Sequence, residues 1–370
     1  MIDSLTGVRF FAALWVLLLH FREYQVDRIW KFPIIDPFVA QGTLGVDLFF
    51  VLSGFIMSHV YRVVFRDRVT KASYRGFIIY RVARLYPVHF ATFAMMVGMA
   101  GAQSLIIGSP PAHPERYSWL AVVTTLTMTH DWFVGIYTPN MPAWSISSEF
   151  AAYLFFPFLM VLISKQRWVA GVYALAGFLI LFVVRGSLDP ETASGFFFKL
   201  SLGRIAGGFL IGMAAFQIAP AIQRWMGQQR FWSLASVAGI FALGWFNLLP
   251  AAVAALFFAA LIIFLSCEND LLARPLASRL IVYLGEISYA LYMIHWPVRT
   301  VIRTAIEKAG LSGSISPPII ILVYSAVALI GAALLHAFVE KPGRRLIRNL
   351  ADGSARKSQS AMDPVKQTLP

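Results

Sequence analysis

The amino-acid sequence predicts an all-α integral membrane protein with about ten transmembrane helices. Three observations predict it. Hydrophobic residues make up 58% of the 370-residue chain and charged residues only 13%, against about a quarter charged in a soluble domain. Apolar runs long enough to cross a bilayer recur along almost the whole chain. When those runs are threaded in order, Lys and Arg gather on alternate loops, as the positive-inside rule requires.

The ten runs are 5–23, 43–61, 85–107, 145–163, 168–185, 200–218, 231–247, 250–266, 281–300 and 317–338. Lipid offers no hydrogen bonds to a backbone, so each run must satisfy its own peptide groups as a helix. A weaker run at 119–137 contains His130 and Asp131. If it crossed, every later loop would change sides. Kept outside, it leaves one inner loop with Arg62, Arg66, Arg68, Lys71, Arg75, Arg81 and Arg84, and an inner C-terminal segment with Lys341, Arg344, Arg345 and Arg348. The outer loops hold a thinner scatter, including Arg22, Arg28, Lys31, Arg116, Lys199 and Lys308. This bias puts both termini in the cytoplasm and makes 119–137 re-entrant or a surface helix.

The first run lacks a small-residue cleavage site and carries His20, so it is read as a span and not as a cleaved signal peptide. Residues 1–350 form one membrane domain. The polar stretch 351–370 reads as a disordered cytoplasmic tail. No internal repeat stands out.

The formal charge is +13. In a soluble protein that balance would suggest nucleic acid. Here it belongs to cytoplasmic loops and anionic lipid, so the bilayer is a partner and nucleic acid is not. The single Cys267 excludes a disulfide framework and a Cys-based metal site.

Ionisable groups in spans are costly, by at least about 2.5–3.5 kcal/mol for a charge near a helix centre, and mark functional sites by default. Several here fall into two layers. The outer layer has His20 near the outward end of the first run, Asp47 opening the second, and Ser145 and Glu149 at the start of the fourth. Ser145 and Glu149 are four apart and share a helix face. Arg204 near the start of the sixth run and His295 near the outward end of the ninth complete it. The inner layer is basic: Arg9 in the first run and Arg81 and Arg84 at the start of the third, with Pro87 read as lying just inside that helix. Arg9 and His20 are eleven residues apart, about 20° around a helix and roughly 16 Å along it, so one stripe joins the layers.

Each residue has a plainer reading. His20 and His295 suit hydrogen-bonded packing near an interface. Ser145 and Glu149 suit a helix start with an acidic first turn. Arg81 and Arg84 suit lipid headgroups, and Asp47 with Arg204 suits a buried structural pair. The layering itself favours chemistry. Arginine forks at an inner mouth match phosphate oxygens. A histidine at the far end suits a general base toward a hydroxyl, with a carboxylate neighbour to fix its tautomer. A thioester donor such as acetyl-CoA needs no metal, and its long arm can reach from one layer to the other.

These residues sit in a set of motifs: LTGVRFFAALWVLLLHF at 5–21, GVDLFFVLSGFIMS at 45–58, YRVARLYP at 80–87, MPAWSISSEFAAYLFFP at 141–157, RIAGGFLIGM at 204–213, GEISYALYMIHWP at 285–297 and FVEKP at 338–342. In this order and over residues 5–345, the chain resembles the acyltransferase family 3 membrane proteins, which include bacterial O-acetyltransferases of surface polysaccharides and lipopolysaccharide. The resemblance implies about ten spans, cytoplasmic termini and an acyl-CoA donor. It implies an essential histidine at His20, an R-x-x-R pair for the donor at Arg81 and Arg84, and an S-x-x-x-E motif at Ser145 and Glu149. Tyr80 departs from the further basic residue that many members place there. Some members carry an appended soluble domain or extra span; this chain has neither, so any partner enzyme is expected to be separate.

The expected function is thus O-acyl transfer in a bacterial inner membrane. An acetyl or similar short acyl group would move from cytoplasmic acyl-CoA to an extracytoplasmic glycan or glycolipid. His20, Glu149 and Ser145 would be catalytic, Arg81, Arg84 and Arg9 would hold the donor, and Asp47, Arg204 and His295 would line the acceptor side. No metal is expected. Polysaccharide-assembly proteins are candidate partners. The alternative is a transporter or exporter of an acylated or glycolipid substrate without acyl transfer, for which broken helices or inverted repeats would speak.

Overall fold

The computed structural model describes residues 2–24, 36–133, 137–166, 168–186, 200–226, 230–246, 250–267, 270–311 and 314–351. All but Ala351 of the expected disordered tail lies outside them, as do Arg28, Lys31 and Lys199. The described residues are helical with no strand.

In chain order the helices are α1 (Asp3–Tyr24), α2 (Asp36–Val39), α3 (Leu44–Tyr61), α4 (Lys71–Ala102), α5 (Trp119–Leu126), α6 (Trp144–Lys165), α7 (Val169–Gly186), α8 (Leu200–Met226), α9 (Trp232–Trp245), α10 (Ala251–Leu265), α11 (Ala273–Leu276), α12 (Arg279–Glu286), α13 (Ser288–Lys308) and α14 (Pro317–Leu335). After a π-turn at His336–Glu340, the last helix runs on to Ala351.

Six helical segments are long and apolar enough to cross a membrane: Asp3–Arg22, Leu44–Tyr61, Lys71–Ile106, Met141–Lys165, Leu200–Trp225 and Pro318–Ala351. Of the other expected spans, α7, α9 and α10 are apolar but shorter. At 1.5 Å per residue, α9 and α10 are about 21–23 Å long against a hydrocarbon core of about 30 Å. The remaining one, expected at 281–300, is not one helix. It breaks at Ile287, whose N–H caps α12 through the carbonyls of Tyr283 and Gly285.

Among its described residues, the weak run at 119–137 forms only the eight-residue helix α5. That is about 12 Å of rise, too short to cross. The chain then turns at Met128, a non-glycine residue with φ of 56°. His130 and Asp131 tuck in behind it, 1% and 2% exposed.

The third run corrects the sequence reading. α4 begins at Lys71, fixed by a capping box: Thr70 Oγ1 accepts from Ser73 N at 3.1 Å, and Ser73 Oγ accepts from Thr70 N at 3.0 Å. Its 32 residues make about 48 Å of helix, longer than the bilayer core. Arg81 and Arg84 therefore lie inside a helix, and Pro87 sits mid-helix, not in a first turn. Apolarity marks where lipid starts; it does not mark where a helix starts. Pro87 removes one helical hydrogen bond and widens the local backbone. Gly343 of the last helix fits that spot, since a Cβ there would lie 2.7 Å from Pro87 Cβ. This contact draws the end of the last helix onto α4.

α3 is the central helix, packing against α1, α8 and α10. Its crossing with α8 is backbone on backbone: a Cβ at Gly54 would collide with the Phe209 carbonyl, and one at Gly212 with the Val51 carbonyl. Small residues of this kind let membrane helices approach closely. α13 packs against α1, α4 and α14, and α6 against α3, α4 and α8. The helices α1, α3, α4, α6 and α13 converge, and their polar groups face the space between them.

Candidate active site

That space is one cavity with about 780 Å³ of empty volume, part of it open to solvent. Arg9, Arg81, Arg84, Ser145 and Glu149 line it, with Ser53, Met57, Tyr153, Tyr289 and Tyr292. Five of the nine residues singled out from sequence thus share a single wall.

The guanidinium end is crowded. Arg81 donates from Nη2 to Tyr61 Oη at 3.2 Å. Its guanidinium also lies over the rings of Tyr61, Phe77 and Tyr153, at 5.5, 5.9 and 5.8 Å from their centroids. Three aromatic faces offer a desolvated cation partial compensation. Arg84 lies over Tyr289, 5.6 Å from the ring centroid, and forms an ion pair with Glu340. Glu340 is fully buried and is also reached by His336 Nδ1 at 3.0 Å and Arg344 Nη1 at 3.6 Å.

In the middle, Glu149 accepts from Ser53 Oγ at 2.8 Å and from Tyr153 Oη at 2.5 Å. Tyr153 is one turn beyond Glu149 on α6, so the pair shares a helix face. At the other end, Ser145 Oγ donates to Tyr292 Oη at 2.8 Å, and Tyr292 Oη donates to the Pro142 carbonyl at 2.9 Å.

One turn along α13 from Tyr292 stands His295, 1% exposed. Its ring centroid is 5.8 Å from that of Tyr292 and 5.1 Å from that of His20. His295 Nδ1 lies 2.5 Å from the Tyr292 carbonyl, and His295 Nε2 lies 3.1 Å from His20 Nδ1. A carbonyl only accepts, so His295 Nδ1 carries the proton. In a neutral pair His295 Nε2 is then the acceptor, and His20 Nδ1 must be the donor. His20 is left with its lone pair on Nε2. The partner that fixes this tautomer is a second histidine; the carboxylate neighbour expected for His20 is engaged elsewhere, with Ser53 and Tyr153.

Asp47 and Arg204 are not in the cavity wall. Arg204 grips Asp47 with two bonds, Nε–Oδ1 at 2.7 Å and Nη2–Oδ2 at 2.6 Å, and donates to the Thr43 carbonyl at 2.8 Å. Asp47 is 1% exposed. The pair clips α3 to α8 above their glycine crossing, with Trp144 over the guanidinium at 5.7 Å.

A second cavity, about 500 Å³ including open space, lies behind the Met141–Trp144 turn and is lined by Arg116, His130, Asp131, Tyr137, Thr138, Met141 and Trp144. Asp131 Oδ2 accepts from Ser148 Oγ at 2.6 Å, tying this loop to α6. Among the described residues no group of three His, Cys, Asp or Glu side chains is placed to hold a metal ion.

Sequence reasoning missed the tyrosines and the partner of Glu340, which closes the tenth run. Tyr289, Tyr292 and His295 recur every third residue in SYALYMIH, a spacing that puts them within one wide face. Tyr153 follows Glu149 by four. Those intervals were readable; the pairing of Glu340 with Arg84, across more than 250 residues of sequence, was not.

Comparison with known proteins gives the family. No solved structure matches the chain. Acyltransferase MdmB of Streptomyces mycarofaciens is 30% identical over 397 aligned residues, covering 100% of this chain and 97% of that protein. Peptidoglycan O-acetyltransferase OatA of Listeria monocytogenes is 23% identical, covering 93% of this chain and 56% of that protein, so the chain spans about half of OatA's length. The sequence profile of the family described as "Acyltransferase domain" matches residues 2–337. The chain is a membrane acyltransferase and belongs to that family.

Proposed function

We propose that the protein transfers an acetyl or similar short acyl group from cytoplasmic acyl-CoA to a hydroxyl of an extracytoplasmic glycan or glycolipid, in a bacterial inner membrane. It would do so with ten spans and both termini in the cytoplasm. The observation that supports this reading is the single cavity that begins among Arg9, Arg81 and Arg84 and ends at Ser145 and Tyr292, with His295 one helical turn beyond Tyr292 and His20 of α1 against His295.

The donor's phosphates bind at the arginine end, where fork-shaped cations suit phosphate oxygens. The pantetheine arm lies along the cavity past Glu149. The thioester carbonyl reaches the Ser145–Tyr292 end. There His20 Nε2 takes the proton of the acceptor hydroxyl. The oxygen attacks the thioester carbon, the C–S bond breaks, and the thiolate leaves and takes up a proton as CoA. In the two-step version, His20 Nε2 attacks the thioester carbon first, the thiolate leaves and takes up the Nδ1 proton as CoA, and the acyl-imidazole then passes the group to the hydroxyl, whose proton ends on the freed imidazole. In either version Ser145 and Tyr292, whose hydroxyls now donate to Tyr292 Oη and to the Pro142 carbonyl, would have to turn a donor to the carbonyl oxygen as it becomes anionic. Polysaccharide-assembly proteins would supply the acceptor.

Purified protein in detergent, given acetyl-CoA and a bacterial glycan acceptor, is expected to release free thiol and yield acetylated product. His20→Ala at normal abundance should abolish both. Wild-type-level product from that variant would sink the reading. Movement of an acylated substrate across a vesicle membrane with no thiol release would favour an exporter instead.

A further inference from the structure

The arginine end of the cavity is larger than the R-x-x-R pair. The last helix lays its face against α4, and that face carries Glu340, Arg344 and Arg348 at intervals of four. Residues so spaced point the same way. Arg344 reaches Glu340 at 3.6 Å, and Arg348 lies over the ring of Tyr80, 4.7 Å from its centroid. Arg9, Arg81 and Arg84 line one cavity, and Arg344 joins them through Glu340, which it shares with Arg84. Three guanidiniums thus line the cavity and two more follow on the adjoining face of the last helix.

The carboxylates near them are fewer. Glu340 is committed to Arg84, Glu149 lies near Arg9, and Glu286 lies near Arg344. The buried Nε atoms of Arg81 and Arg348 have no hydrogen-bond partner. A buried donor on a cation without an acceptor is costly, more so among like charges. Such a cluster is stable with a polyanion in it. Arg81 and Arg84 are the inner members, already held by aromatic rings and by Glu340. Arg344 and Arg348 are half-exposed and lie outside the cavity wall, one and two turns beyond Glu340 on the last helix.

We propose that Arg344 and Arg348 form a second phosphate-binding pair at the cavity mouth, which takes the phosphorylated nucleotide of the acyl-CoA donor while Arg81 and Arg84 sit deeper along its arm. This inference rests on the acyl-CoA reading above. The same chemistry would also bind an anionic lipid headgroup, so the test separates the two.

Binding of CoA, and of pantetheine, which lacks the nucleotide, is measured by calorimetry on the purified full chain in neutral-lipid nanodiscs. The R344Q/R348Q variant is expected to bind CoA about tenfold or more weakly, the range for lost charged hydrogen bonds, with pantetheine binding unchanged. In steady state its KM for acetyl-CoA rises by the same factor, and the rate with acetyl-pantetheine stays that of the wild type. Arg345→Gln, on the exposed neighbouring position, serves as the control and leaves both unchanged. Equal loss for CoA and pantetheine, or no loss for either, overturns the proposal. Unchanged CoA affinity with activity lost only in nanodiscs of anionic lipid assigns the pair to a headgroup and overturns it as well. If wild-type protein binds CoA in this pattern but releases no thiol from acetyl-CoA, the acyl-transfer reading falls while the nucleotide site stands. If wild-type protein binds no CoA, both fall.

Discussion

His295 Nε2 lies 3.1 Å from His20 Nδ1, while His295 Nδ1 is held at 2.5 Å by the Tyr292 carbonyl. That carbonyl, two bonds removed from the chemistry, decides which nitrogen of His20 is basic. On the proposed mechanism His295 positions His20 and does not touch substrate. His295→Ala should lower kcat by about 10²-fold or more, the scale of general-base catalysis. KM for acetyl-CoA should stay within about twofold, because the proposed donor site is at the other end. Steady-state kinetics check this. A pure KM effect would mean that His295 touches substrate and not His20.

Glu340 is fully buried and ion-paired with Arg84. Removing one partner of a buried pair leaves an uncompensated charge and costs about 3–5 kcal/mol. Glu340→Gln should therefore cut thermal stability sharply. Arg84→Met with Glu340→Met should recover most of it, since two apolar groups fill the space without stranded charge. Neither variant should bind CoA as the wild type does. Thermal unfolding in detergent, alongside CoA binding, measures both. A double variant no more stable than Glu340→Gln alone would show that the pair is not the coupled unit.

Much of this arrangement was legible in the sequence because lipid punishes stray polarity. His20, Asp47, Glu149, Arg204 and His295 stood out as charges or bases in apolar runs, and all of them are built into α1, α3, α6, α8 and α13. Helix ends were less legible. Hydropathy reports solvent, and α4 begins more than three turns before Arg84, with a polar cap at Thr70. For the same reason the expected ninth run hid a break at Ile287: apolarity continues through it. Pairing was least legible. Whether Asp47 faces a substrate or Arg204, and whether Glu149 faces His20 or Ser53, depends on helix rotation, which a periodicity fixes only within about a quarter turn.

The α3–α8 crossing predicts a contrast between glycines. Gly212 has the Val51 carbonyl where a Cβ would go, whereas Gly171 at the start of α7 has nothing within 4 Å. Gly212→Leu should push the helices apart and reduce the yield of monodisperse protein. The cost should be at the upper end of overpacking, about 3 kcal/mol or more. Gly171→Leu adds an apolar group to an open surface and should be tolerated. Fluorescence-detected size-exclusion profiles of the two variants decide it; equal profiles would mean that α3 and α8 do not cross there.

Asp47 and Arg204 give the last prediction, because their geometry separates architecture from acceptor binding. Two bonds of 2.7 and 2.6 Å, plus a third from Arg204 to the Thr43 carbonyl at 2.8 Å, use most of what the guanidinium can donate. The carboxylate is nearly closed to solvent. A sugar hydroxyl would have to break this pair to reach either group, and an incoming neutral hydroxyl is a poorer partner than a charge-assisted fork. Asp47→Asn should therefore lower stability by about 3–5 kcal/mol and reduce the amount of folded enzyme. The molecules that do fold should keep kcat and the KM for acceptor within about twofold, since nothing that touches substrate has changed. Activity normalised to folded protein, measured across acceptor concentrations, makes the distinction. A large rise in acceptor KM at full stability would return the pair to the acceptor site.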